Sequence, residues 1–342
     1  MAGRRIGGFR AGLFAAALCA GSLAWPAGAG PNNIELGLPI DCEPGRTCWV
    51  LNHVDLDPTQ GTRDFACGHR TYDGHDGTDF ALKDLGAMEM GVVVRASAAG
   101  IVKGVRDGMA DVNVRDIGRE SLGGRDCGNG AVIDHGAGWE TQYCHLRRDS
   151  VKVKLGQKVE AGQALGLVGM SGFSEFPHVH LSVRRQGKVV DPMSGGIPGE
   201  ACGGGPGTLW KPEIAAKLGY ESILLLNAAF SATEPKRRPG RLPAANPQPV
   251  TRSAPFMYLW VDAFGVEPDD ELMFKVVAPG EQQLFEHTLR GEKIRPYWFQ
   301  WMGIKRVSPQ WTVGAYRAEI TLTRGKGEAR IARKITAEAV VY

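Results

Sequence analysis

Pro177-His178-Val179-His180-Leu181-Ser182-Val183 alternates as a β-strand does, with Pro177 at the start, where its missing N–H costs no ladder bond. In an extended strand residues i and i+2 share a face, so His178 and His180 project together while Val179 enters the opposite layer. The chain has only eight histidines in 342 residues, which makes two on one strand face notable. Working outward, His75-Asp76-Gly77-Thr78-Asp79 lies near the front of the chain, and Tyr143-Cys144-His145-Leu146 falls between the two. Gly74 and Gly77 oppose a helix around His75, so a glycine-bracketed loop running into a strand Phe80-Ala81-Leu82 is expected.

Imidazole and carboxylate suit zinc, at bond lengths of about 2.0–2.2 Å, and catalytic sites commonly use three protein ligands with the fourth position left to water. His75, Asp79 and one of His178 or His180 make such a set, with one or two histidines left over for chemistry. Each motif alone is an ordinary strand or loop feature. All three in one order, each beside a strand, predict a single zinc hydrolase site.

The stretch Asp73-Gly74-His75-Asp76-Gly77-Thr78-Asp79-Phe80-Ala81 is followed by Gly130-Ala131-Val132-Ile133-Asp134-His135-Gly136 and Thr141-Gln142-Tyr143-Cys144-His145-Leu146. Gly156-Gln157-Lys158-Val159, Gly162-Gln163-Ala164-Leu165-Gly166, Met170-Ser171-Gly172 and Pro177-His178-Val179-His180-Leu181 come next. Over roughly residues 70–192 this text resembles the lysostaphin-like (LytM-type) zinc metalloendopeptidases that cut peptidoglycan peptides. The resemblance implies an antiparallel β-sheet domain with one zinc ion in an open groove, held by His75, Asp79 and His180. It leaves His145 and His178 as non-ligand histidines beside the reacting water. No position of that site pattern is missing. We assign His178 as general base and His145 as its partner in stabilising the transition state, because imidazole titrates near working pH. Strand alternation puts Tyr143 on the same face as His145 and Thr141, so its hydroxyl is a further candidate for substrate contact.

Residues 1–29 read as a secretory signal: Arg4, Arg5 and Arg10 form the basic region, Ala11 to Trp25 the apolar stretch, and Ala27-Gly28-Ala29 the cleavage site. Its removal implies a periplasmic or extracellular protein. It also lowers lysine plus arginine from 40 to 37, equal to the 37 aspartates and glutamates. The apparent charge of +3 disappears, and with it any bulk argument for nucleic-acid binding. No later run approaches 18 apolar residues, so no stable membrane insertion is expected. Six cysteines remain, which in an exported chain suggests disulfides. Proximity favours Cys42–Cys48, and we complete the set with Cys67–Cys127 and Cys144–Cys202. Alternation turns Cys144 away from His145, which argues for a structural role rather than a thiol nucleophile.

The length suggests two domains. After an irregular lead-in, 30–69, the metallopeptidase domain spans 70–205 and ends at Gly203-Gly204-Gly205-Pro206-Gly207. A linker, 206–219, holds a short helix from Lys211 to Leu218 with Pro212 in its first turn. Strands at 222–226, 256–261, 271–277 and 315–323 make residues 220–342 a smaller β-sandwich, so the whole chain is all-β. The polar segment from Asp107 to Asp126 is long for a connection and is expected to rim the cleft. Lys236, Arg237, Arg238 and Arg241 lie in a basic segment, read as a solvated loop. Trp298, Trp301 and Trp311 are assigned to core packing rather than a glycan groove, and His287 to the surface.

The leading reading is an exported zinc endopeptidase acting on peptidoglycan stem-peptide cross-links. The alternatives are a non-catalytic wall-binding or amidase-activating module, and a secreted zinc protease of glycine-rich proteins. The D-Ala-D-Ala carboxypeptidase type is set aside because its first histidine and aspartate lie seven positions apart, against four here. Biotinyl and lipoyl carriers, which share the strand pattern, need a hairpin lysine that is not evident. Asn52 or Asp55 is the candidate for a fourth ligand in a latent form.

Overall fold

The strand predicted around His178 forms and lies inside an eight-stranded antiparallel sheet in the computed structural model, which describes residues 33–236 and 248–342. From edge to edge the sheet runs Cys48–Asn52, Thr78–Leu82, His178–Arg185, Trp139–Leu146, Asn129–Gly136, Gly100–Arg106 and Lys158–Val159, with Lys188–Val189 pairing with Arg184 and Arg185 at the end of the third of these. Register is what brings the motifs together. Asp79 pairs with His180 on one side of the central strand, and Cys144 pairs with His180 on the other. The period-two pattern does the rest: Val179, Leu181 and Val183 are fully buried in a core with Phe80, Tyr143, Leu165 and Trp210. Burying each such aliphatic side chain stabilises the sheet by about 1.5–3 kcal/mol, so a one-residue slip that exposed them is strongly disfavoured.

The second half is a sandwich. A three-stranded sheet (Leu224–Ser231, Phe256–Val266, Arg295–Lys305) faces a five-stranded one (Gln248–Val250, Ile331–Val341, Gly314–Arg324, Glu271–Ala278, Gln282–Arg290). Phe230, Leu259 and Val261 from the first meet Phe274, Tyr316, Ile320 and Leu322 from the second in one core. Trp298 and Trp311 are buried in that core, Trp301 is half-buried, and His287 is exposed.

The halves are joined by a third apolar cluster of Leu51, Ala81, Leu224, Leu226 and Phe264, with Trp49, Phe176 and Tyr297 packed at its margin. Polar clamps flank it. The buried Arg70 donates to the carbonyls of Val50, Leu51 and Glu221 at 2.6, 3.0 and 3.1 Å. Asn227 donates to the Lys83 carbonyl at 2.5 Å. Gly265 makes the close approach possible: its φ is +69°, and a Cβ there would lie 2.4 Å from the Arg70 side chain.

Four sequence expectations are corrected. The segment read as an irregular lead-in supplies an edge strand, Cys48–Asn52, and buries Ile34, Leu36, Ile40 and Leu51 in the cores. Cys42–Cys48 forms, but the other pairs are Cys67–Cys202 and Cys127–Cys144, because the strand ends bring Cys127 beside Cys144 rather than beside Cys67. The predicted helix forms with Pro212 at its start but is shorter than expected, Pro212–Ala215. Strands Gln282–Arg290, Arg295–Lys305 and Ile331–Val341 went unread, since Arg295-Pro296-Tyr297-Trp298-Phe299 has no polar face to mark alternation. The signal sequence, and Arg237, Arg238 and Arg241 of the basic segment, lie outside the described residues. Among the described residues no helix is long and apolar enough to cross a membrane.

Two stability predictions follow from this packing. Cys67–Cys202 closes 135 residues and Cys127–Cys144 closes 17. Chain entropy then assigns about 5 and about 3 kcal/mol respectively, so replacing the first pair by serine lowers the denaturant midpoint more than replacing the second. Asp262 is buried, which pushes its carboxyl up to about 7 against hydrogen bonds from Tyr297 and Asn227. A carboxyl raised on folding contributes stability that is present below about pH 4 and lost as pH rises through about 7. Asp262→Asn escapes that loss. Thermal melting should therefore show the variant gaining on the parent by at least about 3 °C between pH 4 and pH 7.5.

Candidate metal centre

His75, Asp79 and His180 are buried, and each presents one ligand atom to a common point, all three atoms within 4.8 Å of one another. His75 Nε2 lies 3.2 Å from Asp79 Oδ1 and 3.1 Å from His180 Nδ1, and His180 Nδ1 lies 2.9 Å from Asp79 Oδ1. A tetrahedral zinc shell separates its donors by about 3.3 Å, so this triangle needs almost no adjustment.

The reverse side of each ligand is fixed. His75 Nδ1 donates to the His53 carbonyl at 2.6 Å, His180 Nε2 reaches Asp76 Oδ1 at 3.1 Å, and Asn52 donates to Asp79 Oδ2 at 2.8 Å. Arg184 holds Asp76 at 2.8 Å. With their outward nitrogens protonated, both imidazoles turn lone pairs toward a carboxylate oxygen. Such a dry cluster of electron pairs calls for a cation. The titration of the group says the same. Burial alone would lower His180, yet hydrogen bonds to Asp76 and Asp79 more than reverse this and hold it at about 9. Burial would raise Asp79, but His75, His178 and His180 keep it well below the carboxylate range. A proton fills the role when no metal competes for it.

Gly77 is required by closeness alone. A Cβ there would lie 2.5 Å from His180 Nε2 and 2.7 Å from the Leu181 carbonyl. Asn52 donates through its amide nitrogen to Asp79, while Asp55 accepts from the backbone of Asp57, Arg63 and Gly74 and so shapes the loop before His75.

His145 and His178 stand beside the triangle, their ring centroids 4.6 Å apart. His178 Nδ1 donates to the Phe176 carbonyl at 2.8 Å, leaving Nε2 as the acceptor 3.6 Å from Asp79 Oδ1. His145 Nδ1 donates to the Ser171 carbonyl at 2.7 Å, again leaving Nε2 as the acceptor. Burial lowers both pKa values, that of His145 strongly, so both rings are neutral bases at pH 7.

The faces of the Trp139–Leu146 strand differ from simple alternation. His145 has φ +62°, a left-handed conformation uncommon outside glycine, held by its N–H donating to the Cys127 carbonyl at 2.8 Å. That twist turns its ring out of the core and onto the groove side, beside Cys144 and Gln142. Tyr143 is correspondingly buried on the other face, its hydroxyl accepting from the Ser97 N–H at 2.7 Å, so it is not a substrate contact. Cys144 does share the groove with His145, but its bond to Cys127 removes any nucleophilic thiol.

The groove has two arms. One, about 330 Å³, is polar and lined by Asp76, Arg119, Asp126, Gln142, Ser182 and Arg184. Arg119 and Asp126 come from the insertion expected to rim the cleft. The other, about 310 Å³, runs past His178 to residues of the second sandwich. Sequence reasoning missed Asn52 as the support for Asp79, and Asp76 with Arg184 behind His180; Asp76 sat inside a quoted motif, but nothing in the chain marked Arg184.

The description Peptidase family M23 matches residues 73–192. The peptidoglycan DD-endopeptidase ShyA of Vibrio cholerae is 35% identical over 124 residues, 36% of this chain and 23% of that protein. The murein hydrolase activator EnvC of Escherichia coli is 36% identical over 103 residues, 30% of this chain and 22% of that protein. The chain thus spans about a quarter of the length of these relatives. The catalytic domain of the prophage-encoded M23 protein EnpA from Enterococcus faecalis is 23% identical, covering 47% of this chain and 94% of that one, with a TM-score of 0.30, a superposition too loose to carry weight. Residues 73–192 are thus similar to peptidase family M23, a match that covers about a third of the chain.

Proposed function

We propose that the protein is an exported zinc metalloendopeptidase that hydrolyses peptide cross-links of peptidoglycan. The observation that carries this reading is the convergence of His75 Nε2, Asp79 Oδ1 and His180 Nδ1 with two neutral imidazoles at the edge of the same open groove. When bound there, zinc acidifies a water and polarises a scissile carbonyl. The chain's own residues supply the rest. His178, pinned by the Phe176 carbonyl, takes the proton of the attacking water on Nε2 and returns it to the leaving amine. His145, pinned by the Ser171 carbonyl, presents its acceptor Nε2 to the same space and orients the attacking water by accepting a hydrogen bond from it. Asp76 and Arg184 hold His180 from behind, so that it cannot swing away from Asp79.

A second reading, a domain that activates another murein hydrolase without cutting, is favoured by the identity to EnvC. The complete donor set and the paired imidazoles favour catalysis. Zinc-loaded protein should release peptide fragments from cross-linked sacculi, read by mass spectrometry of muropeptides. His145→Ala should cut turnover at least about 100-fold while leaving the melting curve and zinc content unchanged. Retained biological function of that variant would instead support the activator.

Two further outcomes concern the metal. Binding displaces the proton from His180, which is held at about 9, so apparent zinc affinity should fall about tenfold per pH unit from 8 to 6 in a chelator competition. Gly77→Ala drives a methyl into the His180 ring. It should weaken zinc binding at least about tenfold at constant fold, as judged by circular dichroism.

A further inference from the structure

Resting on the peptidase reading, we infer that the second β-sandwich builds a specificity subsite of the active-site groove, one that takes uncharged, alkyl-bearing peptide residues on one side of the scissile bond. The apolar arm has Asp79 and His178 at its inner end, so whatever fills it is continuous with the reacting centre. Its outer wall comes from the other half of the chain: Phe264, Pro296 and Tyr297. Phe176 lies between, its ring 4.6 Å from that of His178.

The wall is rigid. The Phe264 and Tyr297 rings pack 5.1 Å apart, and the Tyr297 hydroxyl donates to Asp262 at 2.5 Å, which turns its polar end away and leaves the ring for contact. Phe264, Phe176 and Tyr297 also belong to the cluster that joins the two halves, with the Arg70 clamp beside it. A tethered wall-binding module would have no reason to be welded in place here.

The two arms differ in chemistry. The arm behind Asp76 and Arg184 presents charges of both signs, whereas at the outer rim of this one the charged residues Arg115 and Glu175 are bonded to each other at 2.5 Å. About 310 Å³ sits at the small end of ligand pockets and holds one or two compact residues. A charged side chain placed against Phe176, Phe264 and Tyr297 loses hydration and must compete with the Arg115–Glu175 pair for a partner, while a methyl or larger alkyl group gains ring contacts. A peptide that is ionised on one side of its scissile bond and alkyl on the other therefore lies across the groove in one direction only.

The test uses the full mature protein, zinc-loaded, with synthetic peptides in which the residues flanking the cleaved bond are varied among glycine, alanine, leucine and lysine, one side at a time. On one side the parent should prefer alanine or leucine to lysine by at least tenfold in kcat/KM. Tyr297→Ala should reduce that ratio to threefold or less, mainly through KM, and Tyr297→Phe should retain it. Pro296→Trp, a rim substitution that fills the arm without touching the core, should erase it as well. Unchanged ratios in Tyr297→Ala and Pro296→Trp, with parental melting and zinc content, would overturn the subsite. Failure of the zinc-loaded parent to cut any peptide would remove the peptidase reading and this inference together.

Discussion

Three electron-rich atoms that face one another inside a buried pocket need a cation, and the rest of the structure is arranged around that constraint. The donors come from a loop and two neighbouring strands, and the register that pairs Asp79 with His180 sets their spacing. That register is locked from the opposite side of the sheet, where Val179, Leu181 and Val183 are buried. Apolar packing on one face thereby fixes polar chemistry on the other. The cost of crowding carboxylate and imidazole lone pairs is carried by the core beneath them.

Around the donors, backbone carbonyls do most of the orienting. His53, Ser171 and Phe176 each take one ring proton, which fixes the tautomer of His75, His145 and His178 and leaves Nε2 directed inward. Carbonyls cannot titrate, so these tautomers hold across the pH range in which imidazole itself changes charge. The left-handed turn at His145 belongs to the same design. It brings a residue that alternation assigns to the core onto the groove, and Cys127, bonded to Cys144, anchors the turn.

Much of this was legible in the chain. The i, i+2 histidines, the glycines around His75 and the alternation at Val179 sufficed for the central strand and narrowed the donors to His75, Asp79 and one of His178 and His180, while the choice of His180 rested on the family resemblance. What stayed hidden depends on departures from periodicity or on contacts distant in sequence. Nothing in Tyr143-Cys144-His145-Leu146 announces a positive φ, so the side chains of Tyr143 and Cys144 were assigned to the wrong faces. The pairing Cys67–Cys202 spans 135 residues and depends on where the loop after Asp191 returns. Asn52 lay in a segment that looked irregular, yet it pairs with Asp79 both in register and through its amide. The aromatic wall of Phe264 and Tyr297 is invisible to local patterning, because its meaning lies in a neighbour about ninety residues earlier.

The central claim is that His75, Asp79 and His180 form a zinc site, and its most direct test is X-ray absorption at the zinc edge of the purified chain. The expected result is a shell of about four nitrogen and oxygen atoms at about 2.0–2.2 Å, with outer-shell scattering from two imidazole rings. A shell containing sulfur near 2.3 Å, or scattering from a single ring or none, would contradict it.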